Sequence, residues 1–132
     1  MSGTTANLNN TGDNFDTGND SIVIVSNLET IPGGKTLDVT GFAPLVIPAG
    51  HVVIEETSTG VLKPMPVTGA NYAALPASHT YKGIVISSVL TAKPFVGIMV
   101  RGSVNKNASK YGIASILSAL STALPLIRFT KD

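Results

Sequence analysis

The side chains best suited to acid–base or metal chemistry are two histidines and a pair of adjacent glutamates. His51 opens a predicted strand, and His79 lies in a connection rich in Ala and Ser. Neither lies in a predicted helix, where a carboxylate three or four residues away would share its face and help to build a metal or general-base site. Glu55 and Glu56 are neighbours in a strand, so their side chains point to opposite faces. We therefore predict surface or structural roles for both histidines, and no catalytic or metal-binding residue.

Motifs for other chemistry are missing as well. The sequence contains no nucleophile elbow, and Gly97 and Gly102 lack the spacing of a phosphate-binding loop or a dinucleotide fingerprint. Aromatic residues are 5% of the chain and Trp is absent, which leaves few ring platforms for sugars or nucleobases. We predict a protein that is not an enzyme and that has no cofactor and no small-molecule substrate.

Low charge is the most informative property of the composition. The 132 residues suit one domain, large enough to bury about two thirds of the surface of its unfolded chain. Charged residues make up 13% of the chain and the net charge is +1, whereas globular domains average about 25% charged residues. We expect no nucleic-acid or membrane partner, because both attract strongly basic surfaces. Without Cys there are no disulfides, so stability must come from packing and from assembly with other subunits.

Residues 1–20 differ in composition from the rest of the chain. They are rich in Asn, Thr and Gly, and after Met1 their only large apolar residues are Leu8 and Phe15. Such a segment buries too little surface to offset its loss of conformational entropy. We predict a flexible N-terminal arm, which is either a disordered tail or an arm that orders on a neighbouring subunit with Leu8 and Phe15 as anchors. It has neither the basic residues nor the apolar stretch of a signal peptide, and we predict no membrane span.

A run of four β-branched residues follows the arm: Ile22, Val23, Ile24 and Val25. An apolar run without alternation is typical of a strand that is covered on both faces. This strand pairs either with the domain's own sheet, which we favour, or with the edge of another subunit. We take these four residues, together with Leu8 and Phe15, as candidates for contact with neighbouring subunits.

Residues 21–132 are predicted to form a single β-rich domain. Strands at 51–56 and 61–63 flank a turn that ends in Gly60, and strands at 83–90 and 95–101 form a second hairpin. Side chains alternate along the strand at 95–101, with Val96, Ile98 and Val100 on one face, so we expect that face to be part of the core.

Only the C-terminal part of the chain shows the period of an α-helix. Its apolar residues recur every three or four positions and would form one stripe, made of Ile113, Ile116, Leu117, Leu120 and Leu124. Asn105 or Asn107 can cap this helix, and Pro125 ends it. Because a short helix is marginal alone in water, we expect it to pack on the strands. The predicted fold is therefore mainly β (β-rich α+β), a small antiparallel β-barrel or sandwich with one C-terminal α-helix, at about 107–123, packed on it.

The order of these features resembles the head decoration proteins of tailed bacteriophages, of the lambda type. The sequence Pro-Ala-Gly at 48–50 leads into a strand, a turn follows at Gly60, and another strand begins at 82–85. The segment 100–105 then runs into the Ala- and Leu-rich helix, and the match ends at 126–129. The resemblance covers roughly residues 43–130 and is one of order and spacing.

The resemblance implies a structural virion protein, made in the host cytoplasm, that binds the outer surface of an assembled capsid. Such proteins stabilise the contacts between subunits of the major capsid protein, and they are commonly trimers. About forty residues precede the matched region here, so the base or anchor of a phage head fibre is an alternative. A third class is a small hydrolase or ligand-binding barrel, which needs a deep polar pocket that contains His51 or His79 with carboxylates.

Overall fold

Strands, nearly all of them in antiparallel pairs, are the main secondary structure of residues 20–131, the part of the chain that the computed structural model describes. With 42% strand and 9% helix, the chain is mainly β, which confirms the predicted class. The elements are α1 (Asp20–Val23), β1 (Ile24–Thr30), β2 (Lys35–Thr36), β3 (Val46–Ile47), β4 (Val52–Glu56), β5 (Leu62–Pro64), β6 (Val67–Thr68), β7 (Asn71–Tyr72), β8 (His79–Val85), β9 (Val89–Leu90), β10 (Phe95–Val96), β11 (Ile98–Asn105), α2 (Leu117–Ala123) and β12 (Ile127–Thr130).

The main sheet is built around β11. Its strands run in the order β1-β11-β8-β4-β5, and β12 also pairs with β11, in parallel. The three other sheets in the described part of the chain have two strands each, formed by β2 with β10, β3 with β9, and β6 with β7. None of these four sheets closes into a barrel, so the barrel, which was one of the two predicted architectures, is not formed.

Both faces of the main sheet are covered. In β4, Val52 and Ile54 face one core and Val53 faces the other, as the two-residue period of a strand requires. The first core lies between the sheet and α2, which contributes Leu120. The second core lies under the small sheets β2–β10 and β3–β9, from which Ile47 is fully buried. Removal of both faces from water explains how a chain without disulfides can be stable.

The helix exists but is shorter than predicted. α2 begins at Leu117, and its N-cap residue Ile116 has no side-chain hydrogen bond, so neither asparagine caps it. Residues 107–116 form turns instead, because the backbone of Gly112 is engaged elsewhere: its N–H donates to Ala70 and its oxygen accepts from Tyr72. A residue tied to a neighbouring strand in this way cannot also join a helical ladder. The C-terminal end agrees with the sequence, since the helix stops at Ala123.

The two predicted hairpins fare differently. β4 and β5 pair across the turn that ends at Gly60, whose φ of +75° suits glycine, so this hairpin is confirmed. The predicted strand at 83–90 is instead two strands, because β8 ends at Val85 and β9 belongs to another sheet. β8 pairs with β11 over only two residue pairs, which leaves the second half of β11 free to pair with β12.

Candidate functional site

His51 lies at the centre of a buried aromatic cluster. It directly precedes β4, its side chain is fully buried, and its Nε2–H donates to the backbone oxygen of Met65 at 2.9 Å. The rings of Phe42, Tyr72 and Tyr111 meet the imidazole edge-on, with centroids 5.3, 5.2 and 5.6 Å from its own. Of the two roles predicted for this histidine, the structure gives it the structural one.

The cluster keeps its ionisable groups neutral. Burial lowers the pKa of His51 to about 4, although the hydrogen bond to Met65 acts in the opposite direction. Burial also raises the pKa of the Tyr72 hydroxyl, which accepts the Val52 N–H at 3.1 Å and donates to the Gly50 oxygen at 3.5 Å. At neutral pH the cluster therefore contains an uncharged imidazole and an uncharged phenol.

The second ring nitrogen of His51, Nδ1, has no hydrogen-bond partner among the described residues, and the atom is closed off from solvent. A general base needs access to the proton that it removes, and usually a group that orients it. The ring contacts of His51 are three aromatic side chains and one backbone oxygen, which provide neither.

His79 lies at the surface in a chain of polar contacts. Its Nδ1–H donates to the Ala77 oxygen at 2.8 Å, so its Nε2 accepts from the Lys63 ammonium at 3.3 Å. Lys63 in turn lies 3.4 Å from Glu56, whose pKa is lowered by a hydrogen bond from Thr59 and by the charge of Lys63. The lone pair of this imidazole is therefore already engaged by a cation.

Two open clefts lie near these charged residues. One, of about 240 Å³, is lined by His79, Lys63 and Asp38 together with Phe42 and three prolines. The other, of about 640 Å³, has an apolar floor that includes Leu37 and Leu62, and its rim carries lysines and carboxylates. On this rim Lys82 and Glu55 form an ion pair at 3.4 Å. Both clefts mix positive and negative charges, which gives neither a strong preference for an ionic ligand.

The described residues contain no evident metal site. In residues 20–131 no three His, Asp or Glu side chains lie close enough together to bind a metal ion. Neither of the two helices found there has the length and apolarity that crossing a membrane requires.

The residues predicted to contact other subunits separate into three groups. Leu8 and Phe15 lie outside the described residues. Val23 is only 3% exposed and packs against Gly50, so its side chain belongs to the domain's own core, and Ile24 is half-buried at the edge of that core. Ile22 and Val25 are 52% and 49% exposed, and they remain available for contact.

The predicted strand at 22–25 is wrong in its limits. The first of these residues belong to α1, and β1 begins only at Ile24. The segment is fixed by Asp20, whose carboxylate accepts two hydrogen bonds from Ser88: from its N–H at 2.8 Å and from its hydroxyl at 2.7 Å. The Ser88 hydroxyl also accepts the N–H of Ala49. Asp20 therefore belongs to the folded domain, one residue earlier than predicted.

Two irregularities in β1 turn large apolar side chains outward. β1 is an edge strand, and its register with β11 shifts between Ile24 and Ser26 and again between Asn27 and Glu29. Each shift leaves one residue of β1 without a partner on β11, first Val25 and then Leu28. Bulges of this kind redirect side chains and interrupt an edge that could otherwise pair with another strand.

We call the exposed residues Ile22, Val25 and Leu28 together the β1 apolar row; Ile22 lies on α1, which directly precedes β1, and the other two lie on β1. Leu28, at 65%, is the most exposed of the three. Sequence reasoning missed it, because a bulge depends on the partner strand and has no local signature in Ser-Asn-Leu-Glu. Comparison of the chain with protein-family models, with curated proteins and with solved structures found no match.

Proposed function

We propose that this chain is a structural virion protein that binds the outer surface of an assembled phage capsid and stabilises contacts between major capsid protein subunits. The observation that carries the proposal is the β1 apolar row: Ile22 on α1 and Val25 and Leu28 on β1 are exposed, and both elements are attached to the domain. The row supports a docking role because apolar side chains held outward in this way gain free energy only when another surface covers them.

The attachment of the row favours binding. Asp20 and Val23 fix the start of the segment, and the pairing of β1 with β11 fixes the rest. A partner therefore loses little free energy in ordering these side chains. Complete burial of a large aliphatic side chain contributes about 1.5–3 kcal/mol, so covering three half-exposed side chains would contribute roughly 2–4 kcal/mol per copy.

Repetition makes such a modest contact effective. A capsid presents the same site many times, and binding only to the assembled shell stabilises that shell by mass action. With 13% charged residues and a net charge of +1, copies of the protein repel one another little when they are crowded on a lattice. In this proposal the major capsid protein is the partner, self-association into a trimer is compatible with it, and no nucleic acid, membrane, cofactor or substrate is involved.

The arm is a separate part of the proposal. Residues 1–20 are polar and carry Leu8 and Phe15 as isolated apolar residues. Because Asp20 begins the ordered attachment next to the β1 apolar row, an arm that orders on the shell would extend the same contact.

Replacement of Ile22, Val25 and Leu28 by serine tests the proposed contact surface. We expect the triple variant to bind undecorated capsids, assembled from the major capsid protein of the same genome, at least about tenfold more weakly than the native chain. Its melting temperature should change little, because these side chains are exposed. Cosedimentation over a range of concentrations measures the effect.

The matched control is Leu45→Ser, which removes a large apolar side chain outside α1 and β1 that, at 83%, is the most exposed among the described residues. This variant should cosediment as the native chain does. Equal binding by the triple variant and the native chain would show that the β1 apolar row is not the contact. Failure of the native chain to bind capsids at all would overturn the proposed function.

A further inference from the structure

His51 joins segments that are far apart in the sequence. The ring is packed by Phe42 from the 41–44 loop, by Tyr72 from β7 and by Tyr111 from the 106–116 segment, and it is bonded to Met65 between β5 and β6. Three of these segments also line a surface pocket of about 450 Å³, where Phe42 and Tyr111 stand beside two prolines. The imidazole thus sits beneath a group of surface segments, all of which contact it.

Within residues 20–131, no counter-charge faces this ring. Tyr72 and Tyr111 face it with uncharged phenols, and Met65 faces it with a backbone oxygen. The nearest lysine on the 106–116 segment, Lys110, lies 5.9 Å from the Tyr111 ring centroid, and its charge has the same sign as an imidazolium.

The carboxylates of the neighbouring elements are engaged elsewhere. On β4, Glu55 pairs with Lys82 and Glu56 with Lys63. On the segment that leads to Phe42, Asp38 is exposed and accepts hydrogen bonds from the N–H and the hydroxyl of Thr40.

We propose that His51 is an acid-operated latch: a proton taken up at Nδ1 releases the 41–44, 66–72 and 106–116 segments from the main sheet. The added N–H would be a buried donor without an acceptor, on a ring that then carries a buried and unpaired charge. Opening of the cluster exposes the added N–H and the charged ring to water, which removes the free-energy cost of burying them. The inference does not depend on the proposed capsid role.

The direction of the pH dependence follows from the two states of the ring. The pKa of His51 is about 4 in the closed cluster, against 6.5 for a solvated histidine. Since the closed form disfavours the proton, its stability is fully present above pH 6.5 and is lost as the pH falls from there towards 4. Linkage of these two values predicts that the equilibrium constant for opening rises about thirtyfold between pH 7.5 and pH 5.

Amide hydrogen exchange measures this opening directly. Two backbone hydrogen bonds close the cluster. The Tyr72 N–H donates to the Gly112 oxygen at 3.1 Å, and the Gly112 N–H donates to the Ala70 oxygen at 2.7 Å. We expect their protection factors, corrected for the intrinsic effect of pH, to fall about thirtyfold from pH 7.5 to pH 5 in the full-length chain. Protection of Ile54 in β4, in the middle of the main sheet, should fall less.

Two variants separate the latch from a general acid effect. In His51→Gln the amide can still donate to Met65 but takes up no proton, so protection at Tyr72 and Gly112 should be independent of pH over this range. His79→Gln removes the surface histidine and should keep the thirtyfold fall.

Several outcomes would overturn the inference. The first is that protection in the native chain is unchanged at pH 5. The second is that the His51→Gln chain loses protection as the native chain does. The third is that the His79→Gln chain no longer shows the loss of protection. If His51→Gln does not fold, the NMR titration of the His51 ring in the native chain decides: a midpoint near 4 supports the latch and a midpoint of 6 or above contradicts it.

Discussion

Replacement of Leu120 by aspartate is expected to abolish the cooperative unfolding transition of the chain. Leu120 is fully buried between α2 and the main sheet, in the larger of the two cores. Loss of a buried leucine side chain costs about 2–5 kcal/mol, and an unpaired carboxylate in its place adds several more. Since domains of this size are stable by about 5–15 kcal/mol, we expect Leu120→Asp to be unfolded at 25 °C, as measured by circular dichroism and urea titration.

The matched control is Leu117→Asp, three residues earlier in the same helix. The sequence places Leu117 in the apolar stripe, but in the structure it is half-buried, lies outside both cores and lines a surface pocket. The Leu117→Asp chain should remain folded with a modest loss of stability. Comparable unfolding of the two variants would mean that the packing face of α2 has been assigned incorrectly.

Replacement of Gly102 by alanine should detach β1 from the main sheet. A Cβ at this position would collide with the backbone oxygen of Ser26 on β1 and would lie 2.5 Å from the sulfur of Met99. The φ of +155° at Gly102 is also one that other residues rarely adopt. Overpacking costs about 1–3 kcal/mol and a strained backbone about as much again. Hydrogen exchange should show loss of protection in β1, while β4 keeps most of its own.

Gly60→Ala is the control for the Gly102 variant. Gly60 also has a positive φ, of +75°, but no atom lies within 4 Å of the position that its Cβ would take. The Gly60 variant should therefore lose about 1 kcal/mol and retain protection in β1. If Gly102→Ala left β1 as well protected as in the native chain, β1 and β11 would not approach each other as closely at Gly102 as the structure shows.

The sequence reveals the class of this fold because periodicity is a local property. The stripe through Ile116, Leu120 and Leu124 can be recognised without any partner, and these three side chains are buried. The start of the helix could not be predicted, because α2 begins ten residues late: the Gly112 N–H donates to the Ala70 oxygen, and the Gly112 oxygen accepts from the Tyr72 N–H. Contacts over forty residues leave no trace in a local pattern.

The candidate sites show the same limit. The four β-branched residues from Ile22 to Val25 indicate an apolar strand, but Val23 lies on α1 and packs inward against Gly50, whereas Val25 faces outward at a bulge in the pairing of β1 with β11. Leu28 joins the β1 apolar row through a second bulge of the same kind. The neutral environment of His51 likewise depends on Phe42, Tyr72 and Tyr111, which come together only in the folded chain.

We propose that this protein is a passive component of a shell, held there by the β1 apolar row. The most direct test is a cryo-electron microscopy map of capsids to which the purified chain has been added. The account predicts one repeated density on the outer surface, with Ile22, Val25 and Leu28 facing the major capsid protein. Bare capsids, density with β1 turned towards solvent, or density found only beneath a projecting fibre would contradict it.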